Sequence, residues 1–396
     1  MSAAVNRKQA RRWGEAAPAA ELDQALVLST VGLLAIGVVM VASTSMAVAE
    51  SYAVSGWHFI VRHLVFIGVG IGLAAAFRLI DSRHLQAMAP LCFPVAVLVL
   101  LLPFVPGLGH EVNGSLRWIN LGISRFQVVE AVKLLLVVFV AGYLARRPQL
   151  ASGRFMETLK PLLVVGLLAG ILLKQPDMGS AVVLVAIVGG MIWLAGAAWK
   201  HLFVLGLASL PLLTFAALEP YRLQRVMTFV DPWADPFNSG FQLTQALIAV
   251  GRGQITGVGM GASVQKLYYL PEAHTDFIFA VLAEEFGLVG IVLVMALFAV
   301  LIGRILAIGL KARVMERPFA AFACWGIGLW IGIQALVSIA VNLGMLPTKG
   351  LTLPLISAGG SSLIMTLAAI GVVLRVHWEL TVQARQTPRK RRSYQV

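Results

Sequence analysis

Charge is scarce in this chain. Asp, Glu, Lys and Arg make up 12% of its 396 residues, against roughly 25% in soluble domains. So little charge, beside 59% hydrophobic residues and a mean hydropathy of +0.86, excludes an ordinary water-soluble domain. Cysteine is scarcer still. Cys92 and Cys324 both fall in apolar runs, where they read as small buried hydrophobes and exclude a disulfide framework. The seven His are scattered without zinc spacing. G-V-G-M-G at 257–261 is not G-x-G-x-x-G and follows no strand, which argues against dinucleotide binding. No Ser-His-Asp arrangement stands out, no internal repeat is visible, and the sequon Asn113-Gly114-Ser115 is a weak pattern.

Long hydrophobic runs are what the chain has in abundance. Ten stretches can cross a hydrocarbon layer of ~30 Å as helices, near 24–47, 60–79, 88–105, 126–145, 159–174, 179–197, 200–218, 277–302, 318–341 and 360–378. Barrel strands would be about half that length and would alternate. The sequence therefore predicts an all-α integral membrane protein of ten transmembrane helices. Residues 1–23 form a basic N-terminal tail, 24–378 the membrane domain, and 379–396 a basic C-terminal tail. Ala47-Val48-Ala49 resembles a signal-peptidase site, but the preceding run exceeds the usual 7–15-residue signal core and reads as a retained first helix. The longest loop, 219–276, joins helices 7 and 8. It is rich in Gly and Pro, and Gln242 to Val250 reads as a short amphipathic helix.

The formal net charge is +13, which raises nucleic acid as a partner. Its distribution argues against that. With both termini cytoplasmic, 21 of the 31 Lys and Arg fall on the cytoplasmic side, nine outside and one, Lys133, within a span. This is the positive-inside pattern, so the basic excess reports topology. The tail R-K-R-R at 389–392 and Arg7, Lys8, Arg11 and Arg12 are placed to meet anionic lipid headgroups.

The acidic residues are the informative minority. Four of 18 lie in L-P-E-A-H-T-D-F-I-F-A-V-L-A-E-E-F-G at 270–287, at the outer mouth of the eighth span. Thr275 is a candidate N-cap there, and an acid in the first turn suits the helix dipole. Capping does not account for Glu272, His274 and Asp276 clustering together. Carboxylates at such a place mark substrate paths or proton transfer, and repulsion from Glu272 would raise the pKa of Asp276. Glu284 and Glu285 lie two to three turns deeper and need partners or protons. The expectation is that Lys133, paired with Glu130 at i, i+3, also bridges to one of them. Asp177 in K-Q-P-D-M-G-S caps the next helix. Arg222, Arg225, Arg252, Lys266 and Lys349 face outward, where Arg forks suit phosphate. Gly359, Gly360, Ser361 and Ser362 open the last span, where a helix N-terminus attracts anions.

N-G-S-L-R-W-I-N-L-G (113–122), Q-P-D-M-G-S-A (175–181), R-L-Q-R with its two D-P pairs (222–236), the 270–287 stretch and N-L-G-M-L-P-T-K-G-L-T-L-P-L-I-S-A-G-G-S-S (342–362) resemble, in order and spacing, the SEDS family (shape, elongation, division and sporulation). The wording K-G-L-T-L-P-L is closer to its division branch. The resemblance spans nearly the whole chain. It implies a ten-helix bacterial inner-membrane glycosyltransferase at the division septum that polymerises lipid II at the outer face, without an organic cofactor. It also implies a class B penicillin-binding transpeptidase and other division proteins as partners. The family's essential aspartate falls on Asp276. Ala358 replaces the usual Tyr before Gly-Gly-Ser-Ser, and Val128-Val129 replace the Pro-Ser that often precedes the residue matching Glu130.

The chemistry meets this resemblance at one point. A sugar hydroxyl attacking an anomeric carbon needs a base. A pyrophosphate leaving group needs its charge neutralised. Asp276 is expected to be the base, with Arg222, Arg225 and Lys349, alone or together with a divalent cation, on the pyrophosphate, and with Ser361, Ser362 and His274 near the substrate. Glu272, Glu130, Lys133, Glu284, Glu285 and Asp177 are expected to tune or support. The competing readings are a lipid II flippase or ion-coupled carrier and a non-catalytic division scaffold.

Overall fold

A computed structural model describes residues 22–51, 57–112, 114–120, 122, 124–147, 155–201, 203–204, 206–207, 220–267, 269–348 and 350–392. Its helices are α1 (Gln24–Ser51), α2 (Trp57–Leu79), α3 (Ser82–Leu101), α4 (Val128–Ala145), α5 (Phe155–Lys174) and α6 (Met178–Leu194). After these come α7 (Pro220–Val230), α8 (Phe241–Gly253), α9 (Ile278–Val314), α10 (Pro318–Asn342) and α11 (Gly360–Arg392). Among the described residues eight helices are long and apolar enough to cross a membrane, and α6 is a shorter apolar helix. The expected seventh span, 200–218, lies largely outside the described residues. The chain is a multi-pass membrane protein.

Helix ends follow the local chemistry. Asp23 accepts from Leu26 N at 3.0 Å, and Asp177 accepts from Ser180 N at 3.1 Å, so each carboxylate satisfies an N–H that the first turn leaves unpaired. Pro318 occupies the first turn of α10, where its missing N–H costs nothing. The core lies where α4, α10 and α11 meet, and these helices bury side chains on most faces. In contrast, α2 shows Val61, Leu64, Val65, Val69 and Ile71 on its surface, as a helix facing lipid should.

Two features depart from the sequence expectation. First, the chain is not wholly α-helical. β1 (Gly109–Val112), β2 (Ser115–Asn120) and β3 (Arg125–Gln127) form a small antiparallel sheet in the order β1-β2-β3. β3 runs directly into α4. In place of a side-chain cap, Gln127 N donates to Ser361 Oγ at 2.9 Å, so α4 starts from a tertiary contact despite Val128-Val129.

Second, the eighth apolar run is broken. Gly287 has φ 62° and ψ −157°, a conformation that β-carbon sterics deny to other residues. Ile278 to Glu285 are buried, whereas Leu288, Val289, Val292 and Leu293 are exposed. The lipid-facing helix thus begins after the break, and Ile278–Phe286 is a separate short segment. The loop after α8 fills the gap. Val258 N and Gly259 N donate to Glu284 O (3.0 Å) and Glu285 O (3.1 Å), and Leu288 N donates to Gln254 O (2.9 Å). The loop's expected helix, Gln242 to Val250, is present as α8.

Candidate active site

The segment Glu272–Phe277 leads into α9, and two other parts of the chain hold it in place. Asn342, at the end of α10, accepts from Ala280 N at 3.0 Å and donates to Asp276 O at 2.9 Å. This corrects the expected cap. Thr275 turns away and donates to the Glu272 carboxylate at 2.6 Å, so a residue 62 positions later serves the first turn of α9. Ser357 donates to Thr275 O at 2.7 Å, and Ala358 N donates to His274 O at 3.0 Å. Glu272 itself takes a positive φ of 58°, a costly backbone state for a residue with a side chain.

The Asp276 carboxylate has no side-chain hydrogen bond or ion pair among the described residues, and the residue keeps partial exposure. Arg117 on β2 and Arg225 on α7 are its cationic neighbours. A β-carbon on Gly350 would stand 3.2 Å from Asp276 Oδ2 and 3.6 Å from Arg117 Nη2. Both groups therefore flank one point and lie within about 7 Å of each other. Only a residue without a side chain leaves that space open. Arg117 also faces Asp177 at 3.8 Å, and Arg225 donates to Thr348 O at 3.0 Å.

Burial raises the Asp276 pKa from 3.8 to about 7, and the Glu272 carboxylate adds to the rise. Arg117 and Arg225 pull the other way, and Asp177 adds a further push upward. Burial lowers His274, Glu272 opposes this, and Arg62 reinforces it. His274 packs against Phe59, with ring centroids 5.9 Å apart. The histidine is therefore a neutral wall of the site near pH 7. One largely buried carboxylate poised near neutrality, beside two guanidinium groups, can take a proton and face an anion.

The structure brings together Asp276, Glu272, His274, Asp177 and Arg225 from the sequence expectation. It adds Arg117, Asn342 and Gly350. Arg117 was in view inside N-G-S-L-R-W-I-N-L-G, but no acid near it in sequence drew attention to it. Lys349 and the side chain of Arg222 lie outside the described residues. Ser361 and Ser362 are buried, one accepting from Gln127 N (2.9 Å) and the other from Gln334 Nε2 (3.2 Å).

The proposed bridge from Lys133 to Glu284 or Glu285 is absent. Lys133 Nζ donates to Glu130 Oε1 and to Gln334 Oε1, both at 2.7 Å, and lies 5.7 Å from the Trp330 ring centre. Its cross-helix partner is a neutral amide on α10. Glu284 instead accepts from Ser263 Oγ (2.5 Å), Val264 N (3.2 Å), Gln265 N (3.4 Å) and Arg252 (3.3 Å). Glu285 accepts from Lys266 (2.7 Å) and Ser43 (2.6 Å). The long loop of residues 219–276 folds back onto the break at Gly287 and supplies all of these donors except Ser43, which lies on α1.

Among the described residues, no group of three or more His, Cys, Asp or Glu side chains could hold a metal ion. One carboxylate beside two guanidinium groups does not make a metal site.

Residues 24–382 match the FtsW/RodA/SpoVE family model, described as "Cell cycle protein". The chain is 50% identical over 363 residues to a "Probable peptidoglycan glycosyltransferase FtsW" of Xanthomonas oryzae pv. oryzae, covering 90% of this chain and 73% of that protein. It is 48% identical over 381 residues to the protein so named in Alkalilimnicola ehrlichii, covering 95% and 94%. Among solved structures, one described as "Structural coordination of polymerization and crosslinking by a peptidoglycan synthase complex" matches with a TM-score of 0.73 and 33% identity, covering 91% of this chain and 98% of that one. The rod shape determining protein RodA of Thermus thermophilus matches with a TM-score of 0.66 and 31% identity, covering 91% and 98%. The order of helices, the loop that carries Asp276 and these matches along nearly the whole chain lead to one assignment: the chain belongs to the FtsW/RodA/SpoVE family.

Proposed function

We propose that this chain is a peptidoglycan glycosyltransferase that polymerises lipid II at the outer face of the inner membrane during division, with Asp276 as general base. The observation that carries the reading is the Asp276 carboxylate. It is unpartnered among the described residues, held near pKa 7 and flanked by Arg117 and Arg225. A base works best when its pKa lies near the working pH.

In the proposed reaction the acceptor's 4-hydroxyl attacks the anomeric carbon of the donor. Its proton passes to Asp276 as the new glycosidic bond forms. The bond to the lipid pyrophosphate breaks, and the leaving group departs with the electron pair. Arg225 and Arg117, with Arg222 and Lys349, offset its negative charge. A retaining route would need a second carboxylate as nucleophile. Of the two carboxylates beside Asp276, Glu272 is engaged by Thr275 and Asp177 by Ser180 and Arg117, so a single displacement with inversion is favoured. The lipid tail cannot leave the bilayer, so the reacting head group must meet its base at the interface. In the proposed topology both termini are cytoplasmic and the segment before α9 faces outward.

A class B penicillin-binding transpeptidase is the proposed partner. The complex of polymerisation and crosslinking named for the similar structure supports this. Purified protein in liposomes, given lipid II, tests the function. Glycan strands support it. Movement of lipid II between leaflets without polymer would favour a flippase, and neither activity would favour a scaffold.

A further inference from the structure

Glu284 and Glu285 take no part in the chemistry above, yet each is at most 1% exposed and ionic partners reach it. They sit at the far end of the short segment Ile278–Phe286, whose near end adjoins Asp276. That segment has nine residues. Helices this short are not stable alone, so its position is set by what holds its ends. Asn342 holds the near end. The far end is released from the lipid-facing helix by Gly287 and is gripped by the loop after α8. A β-carbon on Gly287 would meet Gly257 N at 2.4 Å and Ile255 O at 2.6 Å, so the loop is inlaid into the break.

The side chains complete the grip. Arg252 reaches Glu284 at 3.3 Å. Lys266 is 8% exposed and donates to Glu285 Oε1, Ser43 Oγ and Gly261 O at 2.7–2.8 Å. Ser43 is on α1, so this lysine ties the loop, the short segment and a membrane helix together at one point. Buried ion pairs are often no more stabilising than apolar side chains of the same size, and their best-attested use is to fix register.

We infer that the contacts Lys266–Glu285 and Arg252–Glu284 are positioning contacts for the glycosyl transfer, locking the segment Ile278–Phe286 so that Asp276 stands at the right distance from the acceptor hydroxyl. The inference rests on Asp276 being the base. A misplacement of order 1 Å can lower a rate ~100-fold, and the short segment carries any slip at Glu285 along about 10 Å of helix to Ile278, two residues from Asp276.

The test is steady-state polymerisation of lipid II by full-length protein in detergent or liposomes, with melting temperature measured on the same samples. The variant Lys266→Met/Glu285→Leu removes both charges together and leaves no lone buried ion. Arg252→Met/Glu284→Gln is the second variant: it likewise removes both charges of its pair, and the glutamine keeps an acceptor for Ser263 and Val264. The expected result is kcat lowered roughly 10- to 100-fold in the Lys266/Glu285 variant and about 3- to 10-fold in the Arg252/Glu284 variant. KM and melting temperature should remain those of the unsubstituted protein. Unchanged kcat in the folded variants, a change confined to KM, or a loss that only tracks the unfolded fraction would overturn the inference. If the Lys266/Glu285 variant does not fold, Arg252→Met/Glu284→Gln decides alone. Polymerisation by the unsubstituted protein and its loss in Asp276→Asn are the controls. Failure of either overturns the functional reading itself and is distinguishable from failure of the clamp.

Discussion

The pH dependence of polymerisation is a direct consequence of how Asp276 is housed. A base must be unprotonated to accept a proton. With its pKa at about 7, roughly a tenth of the molecules are competent at pH 6, half at pH 7 and nine-tenths at pH 8. An ordinary Asp would be fully ionised throughout and give a flat profile. Two substitutions should move the midpoint in opposite directions. Glu272→Gln removes a negative neighbour that disfavours ionisation, so the midpoint falls below 7. Arg117→Gln removes a positive neighbour that favours it, so the midpoint rises and kcat/KM drops as well. Each charge acting across a partly solvated gap is worth on the order of 1 kcal/mol, or somewhat under one pH unit. The assay is initial rate against pH from 5.5 to 8.5, with saturating and limiting lipid II measured separately. A flat rising limb, or both variants shifting the same way, would refute the reasoning.

Other consequences follow from the same contacts. Asp276 has a folded-state pKa above its unfolded value, so its protonated form favours the fold. That contribution is whole below about pH 4 and is lost as pH rises through about 7. Asp276→Asn should therefore raise the melting temperature at pH 8 but not at pH 4. The gain should be roughly 1–3 kcal/mol, below the full linkage value because the carboxylate keeps partial access to water. Lys133→Met strands the buried Glu130 carboxylate and removes a donor from Gln334, so it should cost about 3–5 kcal/mol in thermal or denaturant unfolding. Asn342→Ala removes one of the two acceptors of Ala280 N, the other being Phe277 O at 3.1 Å, and should cost about 0.5–1.5 kcal/mol, lowering kcat with it because Asp276 O loses the same partner.

Much of this architecture was legible because the bilayer imposes it. Apolar runs of fixed length gave the eight long spans seen among the described residues, and clustered carboxylates at one mouth pointed to Asp276. Caps such as Asp177 were readable because they act within three residues of themselves. What could not be read was whatever depends on distant partners. Glu284 and Glu285 found their cations in a loop 19 to 32 residues upstream, and Lys133 found a neutral amide 201 residues away. A search for opposite charges alone passes over Gln334. The break at Gly287 was hidden because hydrophobicity reports burial and not backbone angle, so L-A-E-E-F-G-L-V-G reads as one continuous span. The small sheet was missed because strands of three to six residues among glycines carry almost no periodic signal. Arg117 was lost with it.

In the proposed reaction the Asp276 carboxylate takes the proton from the incoming sugar. The most direct test of this step compares the unsubstituted protein with Asp276→Asn in glycan synthesis from purified lipid II, with lipid II binding and melting temperature measured alongside. The expected result is at least a ~10²-fold loss of rate with binding retained and the fold intact. Glycan strands made by the asparagine variant at the normal rate would contradict it.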